Sequence, residues 1–278
     1  MKVIVTGAKG MLGRELVPFL KEKGFLVGEW DLPEWDIRKK EVIAGIEQER
    51  PEGIIHLAAF TDVDGAEEKR REAYEINFLG TANLVAGAER ISAKFLYLST
   101  DYVFDGKKHT PYSEEDAPHP LNYYGETKYL GEMVVKKLKR FFILRTAWLY
   151  SREGKNFVNA IKGKIERGEE IRVVDDQIGS PTYTKDLSVP IADLIKSESY
   201  GIYHITNSGF CSWFQFAREI GRILGVNKEI KPIKTEEAGR LARRPRYSVL
   251  DNSKYQRIFG KNLRAWPEAL RECLRGKV

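Results

Sequence analysis

The chain has 278 residues, of which 42% are hydrophobic and 31% are charged, and its formal net charge is +6. This apolar content excludes a disordered chain, and 24 glycines with 11 prolines exclude a collagen-like one. Basic and acidic residues are interleaved, as on solvated helix faces, so we expect no nucleic-acid partner. Apolar runs stay short of the roughly 20 residues that span a bilayer, and the first residues do not resemble a signal peptide. We therefore expect a cytoplasmic protein with no membrane partner.

The first 150 residues alternate between two periodicities. Short apolar runs, typical of buried parallel strands, occupy residues 3–5, 25–31, 53–57, 95–99 and 141–144. Helical patterns occupy residues 12–24, 38–49, 65–91 and 123–138. Pro18 lies inside the first helix, where we expect a kink or an irregular turn. Strands and helices alternating at this spacing predict an α/β fold with a doubly wound parallel sheet of the Rossmann type.

The pattern becomes looser after residue 150. Helices are predicted near residues 155–167, 186–196, 213–224 and 266–275, with Gly- and Pro-rich stretches between them. We therefore predict a dinucleotide-binding domain over residues 1–150 and a smaller, mixed, mainly substrate-binding lobe over residues 151–278. Residues from about 170 to 190 are expected to return to the first domain.

A glycine-rich turn follows the first strand directly. Gly7, Gly10 and Gly13 stand three positions apart and open the first helix. Such a turn lets backbone N–H groups approach a pyrophosphate, and the start of a helix favours its negative charge. Because strand, turn and helix follow in the required order, the pattern predicts a dinucleotide site.

An acidic residue ends the second strand. Asp31 is expected to accept hydrogen bonds from the adenosine ribose hydroxyls of the dinucleotide. An acid at this position favours NADH, because it would repel the 2′-phosphate of NADPH. Lys9, Arg38 and Lys39 could offset that repulsion, so both NADPH and NADH stay open as cofactors.

Tyr124 and Lys128 carry the candidate chemistry. They stand four positions apart on one face of a predicted helix, which begins after the fourth strand. Ser99 and Thr100 end that strand and so meet the same edge of the sheet. A nearby ammonium is expected to lower the pKa of the phenol from about 10 and so to suit Tyr124 to proton transfer. Thr100 can hydrogen-bond the substrate oxygen that Tyr124 protonates. Together the residues predict hydride transfer to a ketone.

Together these motifs resemble the extended short-chain dehydrogenase/reductase family. The glycine turn, the Tyr124–Lys128 pair and residues 77–84 match its pattern, with Asn77 as a structural or proton-relay residue. Within that family the chain is similar to the dTDP-4-dehydrorhamnose reductases over residues 58–64, 99–106, 145–150, 175–182 and 244–251. The resemblance implies reduction of the C4 keto group of dTDP-4-dehydro-L-rhamnose, a nucleotide-sugar substrate, to dTDP-L-rhamnose by NADPH or NADH.

The resemblance also implies a role for each matching residue. Catalysis is implied for Thr100, Tyr124 and Lys128. Cofactor binding is implied for Gly7, Gly10, Met11, Leu12, Gly13, Asp31, Asp36, Ile37, Ala58, Ala59, Thr61, Asn77, Tyr124 and Lys128. Substrate binding is implied for Val63, Thr100, Asp101, Tyr102, Trp148, Arg244 and Arg246. The two arginines would meet the diphosphate of the nucleotide, which requires positive charge.

The sequence also bears on metal binding, on the oligomeric state and on the two cysteines. Some members of the family hold a metal ion at a dimer interface through a glutamate of the first helix, a position that Glu15 matches. The other ligands are not identifiable from the sequence, so no metal is predicted and a homodimer stays open. Cys211 and Cys273 are interpreted as buried thiols, although one disulfide would also fit the sequence.

Other functions on the same fold stay open. A nucleotide-sugar 4,6-dehydratase typically has a glutamate after Asp101, where this chain has Tyr102. A 4-epimerase uses the same three catalytic residues, and residues 104–106 and 244–245 favour a reductase over it. The beta subunit of methionine adenosyltransferase shares the reductase fold and binds NADP without turnover. The intact triad favours an enzyme over that subunit, and a turnover assay distinguishes them.

Overall fold

The structure, a computed structural model, describes residues 1–226 and 228–275. Its strands are β1 (Lys2–Thr6), β2 (Leu26–Trp30), β3 (Gly53–His56), β4 (Lys94–Thr100), β5 (Phe141–Thr146), β6 (Leu149–Tyr150), β7 (Ile171–Val174), β8 (Ile178–Gly179), β9 (Thr182–Tyr183), β10 (Gly201–His204), β11 (Cys211–Ser212) and β12 (Ile230–Ile233). Its α-helices are α1 (Gly13–Glu22), α2 (Glu41–Glu49), α3 (Val63–Glu68), α4 (Arg70–Tyr74), α5 (Thr81–Ile91), α6 (Tyr123–Val135), α7 (Phe157–Glu166), α8 (Thr184–Lys196), α9 (Trp213–Ile223), α10 (Ser253–Phe259) and α11 (Trp266–Arg275).

The central sheet is parallel and has the strand order β10-β5-β4-β3-β1-β2. Val3, Ile4 and Val5 of β1 are fully buried, because helices cover both faces of the sheet. Helices α1 and α8 pack on one face, and α2, α5 and α6 pack on the other. The predicted fold class, a doubly wound parallel α/β sheet, is confirmed.

The topology of the sheet fixes where a ligand can bind. From β1 the chain first adds β2 on one side and then β3, β4 and β5 on the other. The loops that leave the carboxyl ends of β1 and β3 therefore turn away from each other and open a crevice between them. The glycine turn after β1 and the Thr100 end of β4 both lie at this edge of the sheet.

The prediction of one helix over residues 65–91 is wrong. The region contains α3, a break at Lys69, α4, a π-helical segment Glu75–Gly80 and α5. The side chain of Asn77 bonds far along the chain: its Oδ1 accepts from the Phe60 N–H at 2.8 Å, and its Nδ2 donates to Phe60 O at 3.1 Å and to Thr127 Oγ1 at 3.0 Å. The wider π turn accommodates Asn77 at a position where these tertiary bonds form.

Pro18 does not break α1. The helix runs from Gly13 to Glu22 without the expected irregular turn. Both Pro18 and Arg14 lie on the exposed side of the helix. The Arg14 carbonyl, which loses its usual amide donor to the proline ring, therefore lies on the solvent side of the helix, where water can replace that donor.

The sixth strand of the sheet comes from the second half of the chain. β10 pairs with β5, with Tyr203 opposite Leu144, and α8 contributes Leu187 and Ile191 to the core that it shares with α1. Residues 184–196 thus pack on the sheet as α8, and residues 201–204 join its edge as β10. The expected return of residues from about 170 to 190 stays a prediction. Strand β10 and helix α10 were not predicted, because each is short and lacks a clear period. The domain boundary at residue 150 stays a prediction.

The rest of the second half forms a lobe with its own core. Helices α7, α9 and α11 pack around the short pairs β7–β12, β8–β11 and β6–β9. Cys211 and Cys273 are free and buried in this core, which confirms their interpretation as buried thiols. In residues 1–226 and 228–275 no helix has both the length and the apolar character needed to cross a membrane.

A buried ion pair fixes α6 against the sheet. Glu132 of α6 accepts from Arg145 Nε at 2.8 Å, from Arg145 Nη2 at 2.7 Å and from Ser99 Oγ at 2.6 Å. Both charged side chains are at most 1% exposed, and the Arg145 guanidinium also lies 5.1 Å from the centre of the Phe104 ring. Because neither charge is tolerated in the interior without the other, the pair restricts how α6 can lie on β4 and β5.

Replacement of Glu132 by Gln tests this anchor. Glu132→Gln should lower the free energy of unfolding by about 3–5 kcal/mol, because Arg145 keeps its buried charge and loses its counter-ion. Urea unfolding followed by circular dichroism measures the change. The control is Glu29→Gln, which breaks an exposed 2.6 Å pair with Lys21 and should leave the midpoint close to that of the unmodified chain. Equal losses in the two variants would contradict the anchoring role.

Candidate active site and cofactor cleft

One cleft of about 700 Å³ runs along the carboxyl ends of the central strands. Such a volume and position are typical of a ligand site in an open α/β sheet. The predicted site residues that line it are Gly7, Gly10, Met11, Leu12, Gly13, Asp31, Asp36, Ile37, Ala58, Ala59, Thr61, Thr100, Asp101, Tyr124, Lys128 and Trp148. The structure thus brings together residues that are spread over most of the first 150 positions.

The cleft lining does not include five of the predicted site residues, Asn77, Val63, Tyr102, Arg244 and Arg246. Asn77 is buried in the π-helical segment, Val63 begins α3, and Tyr102 lies in the 3₁₀ turn after β4. The two arginines lie in the segment that leads to α10. The predicted ligand contacts of these residues stay predictions.

The glycine turn at the start of the cleft leaves no room for side chains. Gly7 has a φ of +69°, and a Cβ on it would lie 2.7 Å from the Ala58 nitrogen. A Cβ on Gly13 would lie 2.4 Å from the carbonyl oxygens of Gly7 and Ala8. The backbone of β1, β3 and α1 therefore meets closely here, which exposes the N-terminus of α1 to the cleft. This arrangement fits the pyrophosphate of a dinucleotide.

The two acidic residues that follow β2, Asp31 and Asp36, are already hydrogen-bonded in the cleft. Asp31 accepts from the backbone N–H of Lys9 at 2.7 Å and from that of Leu32 at 2.8 Å. Asp36 accepts from Arg38 Nε and Nη2 at 2.9 and 2.6 Å, and the Arg38 hydrogen bond holds the pKa of this carboxyl below its ordinary value. Lys9 and Arg38 both line the cleft; the Arg38 guanidinium pairs with Asp36, and the Lys9 ammonium lies 3.6 Å from Glu34.

The predicted catalytic residues meet at the middle of the cleft. Thr100 ends β4, and its Oγ1 lies 3.1 Å from Asp101 Oδ1 and accepts from the Tyr102 N–H at 3.1 Å. Tyr124 lies in the first turn of α6, and its hydroxyl lies near that of Thr100. Lys128 is one turn further along, and its Nζ lies 4.1 Å from the centre of the Tyr97 ring. The three side chains line the same cavity.

The pKa expected for Tyr124 is wrong for this structure. Burial raises the pKa of Tyr124 to about 12, although the nearby Thr100 hydroxyl acts to lower it. Burial also lowers the pKa of Lys128 to about 7, since desolvation outweighs the attraction of Glu132. The Lys128 ammonium faces the Tyr97 ring, and desolvation dominates both groups. Tyr124 therefore holds its proton at neutral pH, as a proton donor must.

Trp148 reaches the cleft through an unusual backbone conformation. Its φ is +48°, in the left-handed region that a bulky residue seldom adopts. Its ring stacks on Trp213, with ring centres 3.5 Å apart and planes within 9°, and a Cβ on Gly179 would lie 2.5 Å from the indole. The stack and the missing side chain at Gly179 hold the indole in place. Trp213 was not predicted, because no local pattern relates it to Trp148.

Arg244 pairs with a carboxylate rather than facing the cleft. Its Nη1 and Nη2 donate to the two oxygens of Asp64 at 3.0 and 2.9 Å. Burial acts to raise the pKa of Asp64, but hydrogen bonds from Arg244 and from the Ala242 N–H lower it to about 2. Arg246 is exposed and pairs with Glu236 at 2.8 Å. The Asp64–Arg244 pair joins the start of α3 to the segment before α10, a contact that the sequence did not predict.

Metal-binding geometry is not found at Glu15 or elsewhere in the described residues. No group of three or more His, Cys, Asp or Glu side chains in residues 1–226 and 228–275 is arranged to hold a metal ion.

Known proteins resemble the chain over its whole length. A family model described as RmlD substrate binding domain matches residues 1–277. The spore coat polysaccharide biosynthesis protein SpsK of Bacillus subtilis is 42% identical, with 98% of this chain and 96% of the relative covered. The dTDP-4-keto-6-deoxy-D-glucose reductase of Streptomyces niveus is 36% identical, with 97% and 95% covered. The crystal structure of dTDP-4-dehydrorhamnose reductase from Bacillus anthracis in complex with NADP is 41% identical, covers 99% of both chains and gives a TM-score of 0.95.

Such similarity, with the cleft and its three central residues, defines a Rossmann-type oxidoreductase. More narrowly, the chain belongs to the dTDP-4-dehydrorhamnose reductase family. The predicted family is therefore confirmed.

The tightness of the glycine turn gives a direct test of the cofactor site. Gly13→Ala should weaken NADPH binding by at least about tenfold, because its methyl group would displace the backbone that forms the turn. Isothermal titration calorimetry with NADPH measures the loss. The matched control is Gly221→Ala in α9, where the added carbon meets only Val226 O at an ordinary 3.6 Å. Unchanged binding by Gly13→Ala would place the cofactor elsewhere.

Proposed function

We propose that the protein reduces the C4 keto group of dTDP-4-dehydro-L-rhamnose to give dTDP-L-rhamnose, with NADPH or NADH as reductant. The observation that carries the proposal is the meeting of Thr100, Tyr124 and Lys128 in the cleft that begins at the glycine turn. The extensive similarity to a reductase of this name supports the choice of substrate. The chain's own residues supply hydrogen bonds and a proton at the point where the keto oxygen would lie.

The proton comes from Tyr124 in this proposal. Burial keeps its phenol protonated at neutral pH, so it donates to the substrate oxygen as negative charge develops there. Thr100 Oγ1, which lines the same cleft, orients the same oxygen. The cofactor, when bound, supplies the hydride that forms the new C–H bond at C4. Lys128 would hold the nicotinamide ribose of the bound cofactor, and its charge favours the phenolate left behind.

NADPH is the cofactor that we propose to be used more efficiently. Two cations, Lys9 and Arg38, line the adenosine end of the cleft, where a 2′-phosphate needs positive charge. Asp31, which would favour NADH, accepts two backbone N–H groups, and these offset its charge. The Bacillus anthracis relative, solved with NADP, is consistent with this preference.

A second substrate is favoured by one of the relatives. The Streptomyces niveus protein is named for dTDP-4-keto-6-deoxy-D-glucose, which presents the same keto group on a differently configured ring. The experiment therefore supplies each of the two enzymatically prepared keto sugars, with NADPH and with NADH, and follows the loss of cofactor absorbance. Faster turnover of the L-rhamnose precursor supports the proposal. If only the D-glucose derivative is turned over, that keto sugar replaces dTDP-4-dehydro-L-rhamnose as the proposed substrate. NADPH binding without any turnover points to a regulatory subunit.

Tyr124→Phe tests the proton donor. The variant should lose a factor of about 10²–10⁴ in kcat, because the hydroxyl that protonates the oxygen is removed, while the Kd for NADPH stays close to that of the unmodified protein. Steady-state kinetics and calorimetry measure the two quantities. Tyr123→Phe on the neighbouring position is the control, since Tyr123 lies outside the cleft lining. If Tyr124→Phe keeps most of its turnover, another group donates the proton.

A further inference from the structure

The carboxyl group of Asp101 is buried in the site, and one of its oxygens has no hydrogen-bond partner among the described residues. It follows Thr100 directly and is only 2% exposed. Its Oδ1 lies 3.1 Å from Thr100 Oγ1, and its Oδ2 is buried without a hydrogen-bond partner among the described residues. A buried carboxylate with one bare oxygen is costly, whereas the neutral acid leaves only a carbonyl oxygen unpaired. The geometry therefore favours the protonated form of Asp101.

The direction of the Thr100 hydrogen bonds depends on whether Asp101 carries its proton. A hydroxyl has one hydrogen and two lone pairs, and Thr100 Oγ1 already uses one lone pair to accept from the Tyr102 N–H at 3.1 Å. If Asp101 is ionised, it can only accept, and Thr100 must give its hydrogen to Asp101. If Asp101 is neutral, its O–H donates to Thr100, and the Thr100 hydrogen is released toward Tyr124 and the cleft.

We propose that Asp101 is a positioning residue that, as a neutral acid, directs the Thr100 hydroxyl toward the keto oxygen of the substrate, and that ionisation of Asp101 reverses this hydrogen bond. The proposal rests on the proposed reductase function and adds a control to the same site. It assigns Asp101 an action through Thr100, besides the substrate contact implied by the family resemblance.

The groups around Asp101 determine the direction of its pH response. Burial raises the pKa of Asp101 to about 7, although the nearby Ser248 hydroxyl and the hydrogen bond with Thr100 act to lower it. From its own turn Tyr102 faces it, and from α6 Tyr124 faces it, both as neutral phenols. Arg244 lies next to Tyr102 rather than next to Asp101, and its charge is paired with that of Asp64.

The sign of the response follows from the raised pKa. Asp101 keeps its proton below about pH 7 and loses it as the pH rises through that value. Orientation of Thr100, and with it kcat/KM, should therefore decline on the alkaline side. Lys128, with a pKa lowered to about 7, loses its charge over the same range. A variant that removes only the Asp101 titration is needed to separate the two.

Asp101→Asn provides that variant. Its amide N–H donates to Thr100 at every pH, as the neutral acid does. Between about pH 6 and about pH 9, the step due to Asp101, up to about tenfold per pH unit, should be present in the unmodified enzyme and missing in Asp101→Asn. At about pH 6 the variant should lose several-fold in kcat/KM, because an amide is a weaker donor than a carboxylic acid. Identical alkaline declines in the two proteins would assign the step to Lys128 and overturn the proposal.

A double-mutant comparison tests whether Asp101 acts through Thr100. In the background of Thr100→Val, replacement of Asp101 by Asn should no longer change the shape of the pH profile, since the hydroxyl that it orients is gone. A change of equal size in both backgrounds would show that Asp101 acts by another route. NADPH binding measured for each variant confirms that it folds.

An infrared difference titration gives a readout that does not depend on turnover. The carboxylic C=O band of the NADPH-bound protein, minus that of Asp101→Asn, should be present at about pH 6 and disappear above about pH 8. Loss of this band already near pH 4 would overturn the proposal even if the enzyme is active. A normal band with no turnover of either keto sugar would instead reject the proposed function, and with it the catalytic meaning of the Asp101 proton.

Discussion

The buried pair of Glu132 and Arg145 is the interaction on which the site depends. It joins α6, which carries Tyr124 and Lys128, to β5 and, through Ser99, to the end of β4 next to Thr100. Two opposite charges without access to water tolerate little displacement, because each loses its paired charge when they separate. The residues that would share a substrate oxygen are thus held by a bond that lies beneath them and does not touch the substrate.

Close approaches between backbone segments also fix the geometry of the site. Gly125 lets the first turn of α6 approach the 3₁₀ turn, since a Cβ there would lie 2.2 Å from Tyr102 O. Gly7 and Gly13 do the same where β1, β3 and α1 meet. At these positions a methyl group would force main-chain atoms apart, and main-chain shifts move every side chain that follows. The glycines and the ion pair therefore act on the same property, the distance between the cofactor turn and the catalytic helix.

The sequence predicts those features that depend on neighbours along the chain. Apolar runs indicate the central strands, the spacing of Gly7, Gly10 and Gly13 indicates the cofactor turn, and Tyr124 and Lys128 share a helix face. The missed features depend on partners far away. The π-helical segment is tied to bonds from Asn77 to Phe60 and Thr127, and the Trp148 conformation depends on Trp213 and Gly179. The pKa of Tyr124 was mispredicted because burial, a property of the whole fold, outweighs the nearby lysine.

Burial gives the centre of the cleft a common electrostatic character. It raises the pKa values of Tyr124 and Asp101 and lowers that of Lys128, and each shift favours the neutral form. In such a region a negative charge that develops on a keto oxygen finds little water, so fixed hydrogen-bond donors stabilise it more strongly than they would in solution. The direction of each hydroxyl hydrogen then matters as much as its position. This is why a single buried proton, on Asp101, can decide whether the Thr100 hydroxyl donates to the keto oxygen or to Asp101.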